Sequence, residues 1–228
     1  MVNKMIRYEF NLDNGNAHSF EVDQNRNPLD FSHIKERAPW TDLEFCQCPN
    51  CPLSTKDMPS CPAALDLQNS IIQFRDTRSY DKGEVRVITP ARDYVKRTDV
   101  QSGLQSYMGL VMASSACPIL NKFRGAAKYH LPFASLEETL MRNVGFYLLK
   151  QHFLLKQGKE TDFLLTGLNA VYVAVNEVNL AFQGRLAEAA RLDSTLNALV
   201  GWACTSSLMK SLDEMLADYE RFFVPPKR

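Results

Sequence analysis

A chain of 228 residues is long enough for one large domain or two small ones, with a sizeable core. Apolar residues make up 45% of it and charged residues 23%, the balance of an ordinary soluble globular protein. Its 26 basic side chains cancel 26 acidic ones, which argues against non-specific nucleic-acid binding. There is no repeat and no low-complexity tract. The opening MVNKMIRYEF lacks the apolar core of a signal peptide, so the expected compartment is the cytoplasm.

Residues 5–11 and 17–23 alternate apolar and polar around Asp13-Asn14-Gly15-Asn16, with Ile6, Tyr8 and Phe10 on one face and Phe20 and Val22 sharing another. This pattern predicts a β-hairpin with a Gly/Asn turn. A polar, irregular stretch follows, with breakers at Pro28 and Pro39. Trp40, Leu43 and Phe45 then form an apolar anchor.

Next comes CQCPNCPLSTKDMPSC, four cysteines in the sixteen residues from Cys46 to Cys61. Cys48-Pro-Asn-Cys51 has the two-residue spacing that lets one turn of chain grip a tetrahedral metal from two sides. Proline after Cys48, Cys51 and Cys61 stiffens the backbone that holds each sulfur. The cluster predicts a four-cysteine metal knuckle, with zinc as the expected metal. An iron–sulfur centre is the alternative, because four thiolates suit both. Cys48, Cys51 and Cys61 supply three ligands. The fourth is Cys46, which would close the knuckle on itself, or the distant Cys117 in ASSACPIL, which would tie it to the helical half.

After Cys61, PAALDLQNSIIQFRDTRS places proline at a first helical position and predicts a helix with Leu65, Ile71, Ile72 and Phe74 on its apolar side. Residues 84–89 and 93–98 read as a second hairpin turned at Pro90-Ala91-Arg92. Two hairpins and a helix predict a four-stranded antiparallel sheet covered by that helix. From Thr98 the pattern turns helical. Thr98 or Asp99 caps a helix through Val100, Leu104, Tyr107 and Val111, and a short helix spans Lys122 to Lys128. Ser135 and Glu138 form a capping box for a helix to about Gln157, which Gly158 ends. Long helices are expected from about Thr161 to Arg191 and from Ser194 to Phe223. Within the former, Asn169, Asn176, Glu177 and Asn179 argue against a membrane span, and Asn169, Tyr172, Asn176 and Asn179 share one side as a polar network or pocket lining. In the last helix Leu199, Trp202, Ser206, Met209, Leu212, Leu216, Tyr219 and Phe223 trace a seam suited to bundle packing or a homodimer. The fold class expected is α+β, with an N-terminal unit over 1–98 and a helical bundle over 99–228, or the two as one compact domain.

WTDLEFCQCPNCPL, the later SCPAA, SYMGLVMASSACPIL and KYHLPFASLEET together resemble an uncharacterised bacterial family of conserved hypothetical proteins. The resemblance covers most of the chain and implies that Cys48, Cys51, Cys61 and Cys117 match the family's cysteine positions, Cys46 less securely. It brings no activity with it.

The chain carries no dinucleotide or phosphate-loop motif and no nucleophile signature, so a non-enzymatic binding or regulatory protein is the expected class, with a protein or small-molecule partner. Alternatives are a thiol redox protein using Cys117, whose position before Pro118 would favour a thiolate, a haem sensor through the Cys-Pro pairs, and a small-molecule sensor with a pocket in the helical half. His130, before Leu131-Pro132, reads as a structural hydrogen-bonding residue.

Overall fold

The computed structural model describes residues 5–192 and 212–223. Four strands, β1 (Met5–Leu12), β2 (Ala17–Asp23), β3 (Lys82–Ile88) and β4 (Asp93–Asp99), form one antiparallel sheet in the order β2-β1-β3-β4. The fold is α+β, with six helices among the described residues, mostly in the C-terminal half. The β1–β2 turn closes where Gly15 takes a φ of 89°, a conformation glycine enters without steric cost. The Asn14 side chain accepts the Asn16 N–H there at 3.0 Å. One sheet face carries Tyr8, Phe10, Phe20, Val85 and Val87, all buried.

Helix α1 (Pro62–Gln73) begins with Pro62 at a first helical position, and Ala63, Ala64, Leu67 and Ile71 join the core. Ile72, expected on the buried side, is 41% exposed, because it follows Ile71 by one residue and so points about 100° away from it.

Helix α2 (Val100–Ser114) is capped by Asp99, whose side chain accepts the Ser102 N–H at 2.8 Å. It packs on the sheet beside α1. Gly103 makes this possible: a Cβ there would stand 2.6 Å from Phe10 Cε1 and 3.0 Å from Val85 Cγ2. A 3-10 turn (Leu120–Phe123) leads into the short α3 (Arg124–Ala127), and α4 (Leu136–Lys156) opens with the complete Ser135/Glu138 capping box.

Helix α5 (Thr166–Leu192) starts five residues later than the periodicity predicts. Leu165 sits at a φ of 63°, outside helical space, and Asp162 accepts the N–H groups of Thr166 at 3.1 Å and Gly167 at 2.6 Å. Leu168, Tyr172, Val175, Val178, Phe182, Leu186 and Ala189 make its buried stripe. The core that holds the sheet also takes in Val175, Val178, Phe182 and Leu186. Helix α6 (Leu212–Phe223) closes a smaller cluster through Leu212 and Met215. Leu199, Trp202, Ser206 and Met209 of the expected C-terminal seam lie outside the described residues. No described helix is long and apolar enough to cross a membrane.

Candidate metal centre

The knuckle is shaped by backbone pairing on both sides of it. Thr41 accepts the Cys61 N–H at 2.7 Å, the Leu43 N–H donates to Pro59 at 2.9 Å, and Asp42 bridges Ser60. This short antiparallel contact brings the end of the cysteine loop back to its beginning. Inside the loop the Cys51 N–H donates to the Cys48 carbonyl at 3.0 Å, the turn that the two-residue spacing requires. Asn50 at its apex donates through Nδ2 to the Ala174 carbonyl of α5 at 2.9 Å.

Cys117 arrives from the other side. Helix α2 is capped by Ser115, whose hydroxyl donates to the Met112 carbonyl at 2.7 Å, and the Ser115 carbonyl accepts from Asn121 Nδ2 at 2.8 Å. The chain is thereby turned so that Cys117 faces the knuckle. Cys48, Cys51, Cys61 and Cys117 line a single cavity of about 20 Å³. Its other walls are apolar and come from the cysteine loop and the stretch before it, the start of α1, the segment after α2 and α5, with Leu43, Ile119, Val178 and Phe182 among them. That volume holds one atom-sized occupant.

Among the described residues, no three His, Cys, Asp or Glu side chains are already drawn together in an arrangement that could hold a metal ion. The four thiols face the cavity without closing on it. Cys46 is not part of the lining: it is exposed, on a backbone with φ of 49°. All five described cysteines are free of disulfides, and Cys204 lies outside the described residues.

Burial pushes the Cys48 thiol up to about 12, with the neighbouring Cys61, Cys117 and Cys51 adding to the effect. Cys61 and Cys117 are raised chiefly by burial too. The Cys61 sulfur accepts the N–H groups of Ala64 and Ala63 at the start of α1, and the Cys117 sulfur those of Leu120 and Ile119, which pull the other way. These bonds favour thiolates once a cation is present to offset the desolvation. For a free nucleophile the balance is unfavourable, since burial of Cys117 outweighs the helix-start N–H groups on which its activation would depend.

Sequence reasoning missed Arg185. This α5 residue is 2% exposed, and its guanidinium donates to three backbone carbonyls: Trp40 and Asp42 from Nη1, each at 2.7 Å, and Leu43 from Nη2 at 3.1 Å. It also stands over the Phe45 ring, 5.8 Å from the centroid. Its charge favours the thiolate forms of both Cys48 and Cys61. An arginine within a helical stretch reads as solvated, and only the run of apolar neighbours at helical spacing around it hints otherwise.

The other sequence candidates fall elsewhere. His130 Nε2 meets the Tyr8 hydroxyl at 2.5 Å, and burial, with the Arg142 charge, pushes its pKa down to about 3, so it serves as a neutral hydrogen-bonding residue. On α5, Tyr172 is buried and its hydroxyl accepts from Asn143 Nδ2 at 2.9 Å, while Asn176 Oδ1 is buried without a partner.

A family model, the domain of unknown function DUF6901, matches residues 6–224. The chain belongs to this family. The match spans nearly the whole chain and agrees with the uncharacterised family that the cysteine-proline segments resemble. No curated protein and no solved structure matches the chain.

Proposed function

We propose that this DUF6901 protein is a metal-stapled binding or regulatory protein in which Cys48, Cys51, Cys61 and Cys117 hold one zinc ion. The observation that carries the reading is the convergence of thiols from three separated segments on one apolar cavity of single-ion size. Zinc binding would draw the four sulfurs together, displace their protons and join the N-terminal sheet unit to the end of α2 and the face of α5. Free thiols fit a reducing cytoplasm. The raised thiol pKa values fit a structural site better than a catalytic one.

Elemental analysis and an absorption spectrum of anaerobically purified protein test the proposal. The expected result is about one zinc per chain and no visible band. Iron with a brown absorption would replace zinc with an iron–sulfur centre and make the protein a redox or sensing protein. Absence of any metal would overturn the staple.

A further inference from the structure

Away from the cysteines, two donors of one half-buried guanidinium have no acceptor among the described residues. Arg142 lies on α4, and its Nε and Nη1 atoms are both buried without a hydrogen-bond partner. A guanidinium does not shed its charge in a protein, so these two donors cannot be silenced by deprotonation. The acid that acts on it, Glu138 one turn earlier, is exposed and uses Oε2 to accept the Ser135 N–H in the capping box.

The groups around Arg142 are also donors or already engaged. Tyr8 and Tyr172 both lie close enough to interact with its charge. The Tyr8 hydroxyl is occupied by Ser106 Oγ at 2.8 Å and by His130 Nε2. Ser106 Oγ in turn accepts the Phe133 N–H at 3.0 Å. Tyr172 differs. Its oxygen accepts from Asn143 Nδ2, which leaves its own hydroxyl proton without an acceptor among the described residues. Arg142 Nε, Arg142 Nη1 and the Tyr172 hydroxyl are thus three unanswered donors contributed by α4 and α5. Neutral His130 adds no second positive charge.

We propose that Arg142 and Tyr172 form a binding site for an oxyanion, the carboxylate or phosphate group of a small molecule. Oxyanions supply several acceptor lone pairs at once, and arginine is the side chain best matched to them. The site uses none of the cysteine ligands, so it is independent of the metal reading.

The test is a titration of the full chain with inorganic phosphate and, separately, with acetate, at constant ionic strength. Melting temperature and calorimetry provide the readouts. A saturable rise in melting temperature with one of the two anions is expected, and which one identifies the group recognised. Arg142→Met should abolish the rise, and Tyr172→Phe should weaken binding several-fold. No saturable response to either anion, or a response undiminished in Arg142→Met, would mean that water alone serves these donors and would overturn the site. Should Arg142→Met not fold, the Arg142 Nε–H resonance of the wild-type protein decides: it must shift on addition of the anion, and an unmoved resonance rejects the proposal. Metal content measured on the same sample tests the cysteine site separately.

Discussion

Arg185 Nη2 donates to the Leu43 carbonyl at 3.1 Å, joining the C-terminal third of α5 to a residue that walls the cysteine cavity. With Trp40 and Asp42 also held, one buried guanidinium satisfies three backbone carbonyls. Arg185→Met keeps much of the side-chain volume and strands those carbonyls. We expect it to lower stability by roughly 2–5 kcal/mol, measured by urea unfolding, and to weaken metal retention. A loss below about 0.5 kcal/mol would show that the carbonyls find other donors.

The four cavity cysteines should behave differently from the fifth. Serine at Cys48, Cys51, Cys61 or Cys117 is expected to abolish metal binding and lower the melting temperature. Cys46→Ser should change neither, because Cys46 is exposed and off the cavity. Metal content and thermal melts of the five variants, side by side, check this, and loss of metal in Cys46→Ser would assign the fourth ligand to the knuckle itself.

Two glycines of α2 should respond with opposite sign to the same substitution. Around Gly109 there is nothing within 4 Å of a built Cβ, so Gly109→Ala should gain up to about 1 kcal/mol of helix stability. At Gly103 the new methyl group would press on Phe10 and Val85, and overpacking of about 1–3 kcal/mol outweighs the same gain. Chemical denaturation of the pair gives both signs in one experiment.

Asp66 supplies a pH dependence. One of its oxygens takes Arg26 Nη2 at 2.7 Å, while Oδ2 is buried without a partner. Burial is the largest influence and raises its pKa from 3.8 to about 6, against the pull of Arg26. The folded state therefore binds the Asp66 proton more tightly than the unfolded chain does. This contribution is fully present below the unfolded pKa and is lost as the pH rises through about 6. Its full size is on the order of 3 kcal/mol. Asp66→Asn should lack this gain on acidification, so unfolding at pH 7 and pH 4.5 should show wild type catching up on the variant at the lower value. A parallel response of the two proteins would reject the assignment.

Much of the architecture was legible in local pattern. Alternation around Gly15 places both strands of the first hairpin, and Ser135 with Glu138 marks the α4 start, because both signals need only neighbours in sequence. What escaped depends on partners far along the chain. Gly103 is visible as a small residue, but only Phe10 and Val85 reveal that it admits the sheet. Spacing leaves Cys46 and Cys117 open as the fourth thiol, since it cannot see that Ser115 and Asn121 turn Cys117 toward the knuckle. The roles of Arg142 and Arg185 escape for the same reason: the burial of their guanidinium nitrogens is decided by elements that the helix periodicity does not contain.

The bond from Arg185 to the Trp40 carbonyl spans 145 positions of the chain. During synthesis the hairpins and the cysteine loop emerge long before α5 does, and proteins grow from the N-terminus at about 5–20 residues per second. For that interval the knuckle lacks Val178, Phe182 and Arg185, and its thiols are open to oxidants and to whatever metal the cell supplies. The order of translation therefore makes the nascent chain, rather than the finished protein, the form most vulnerable at these cysteines.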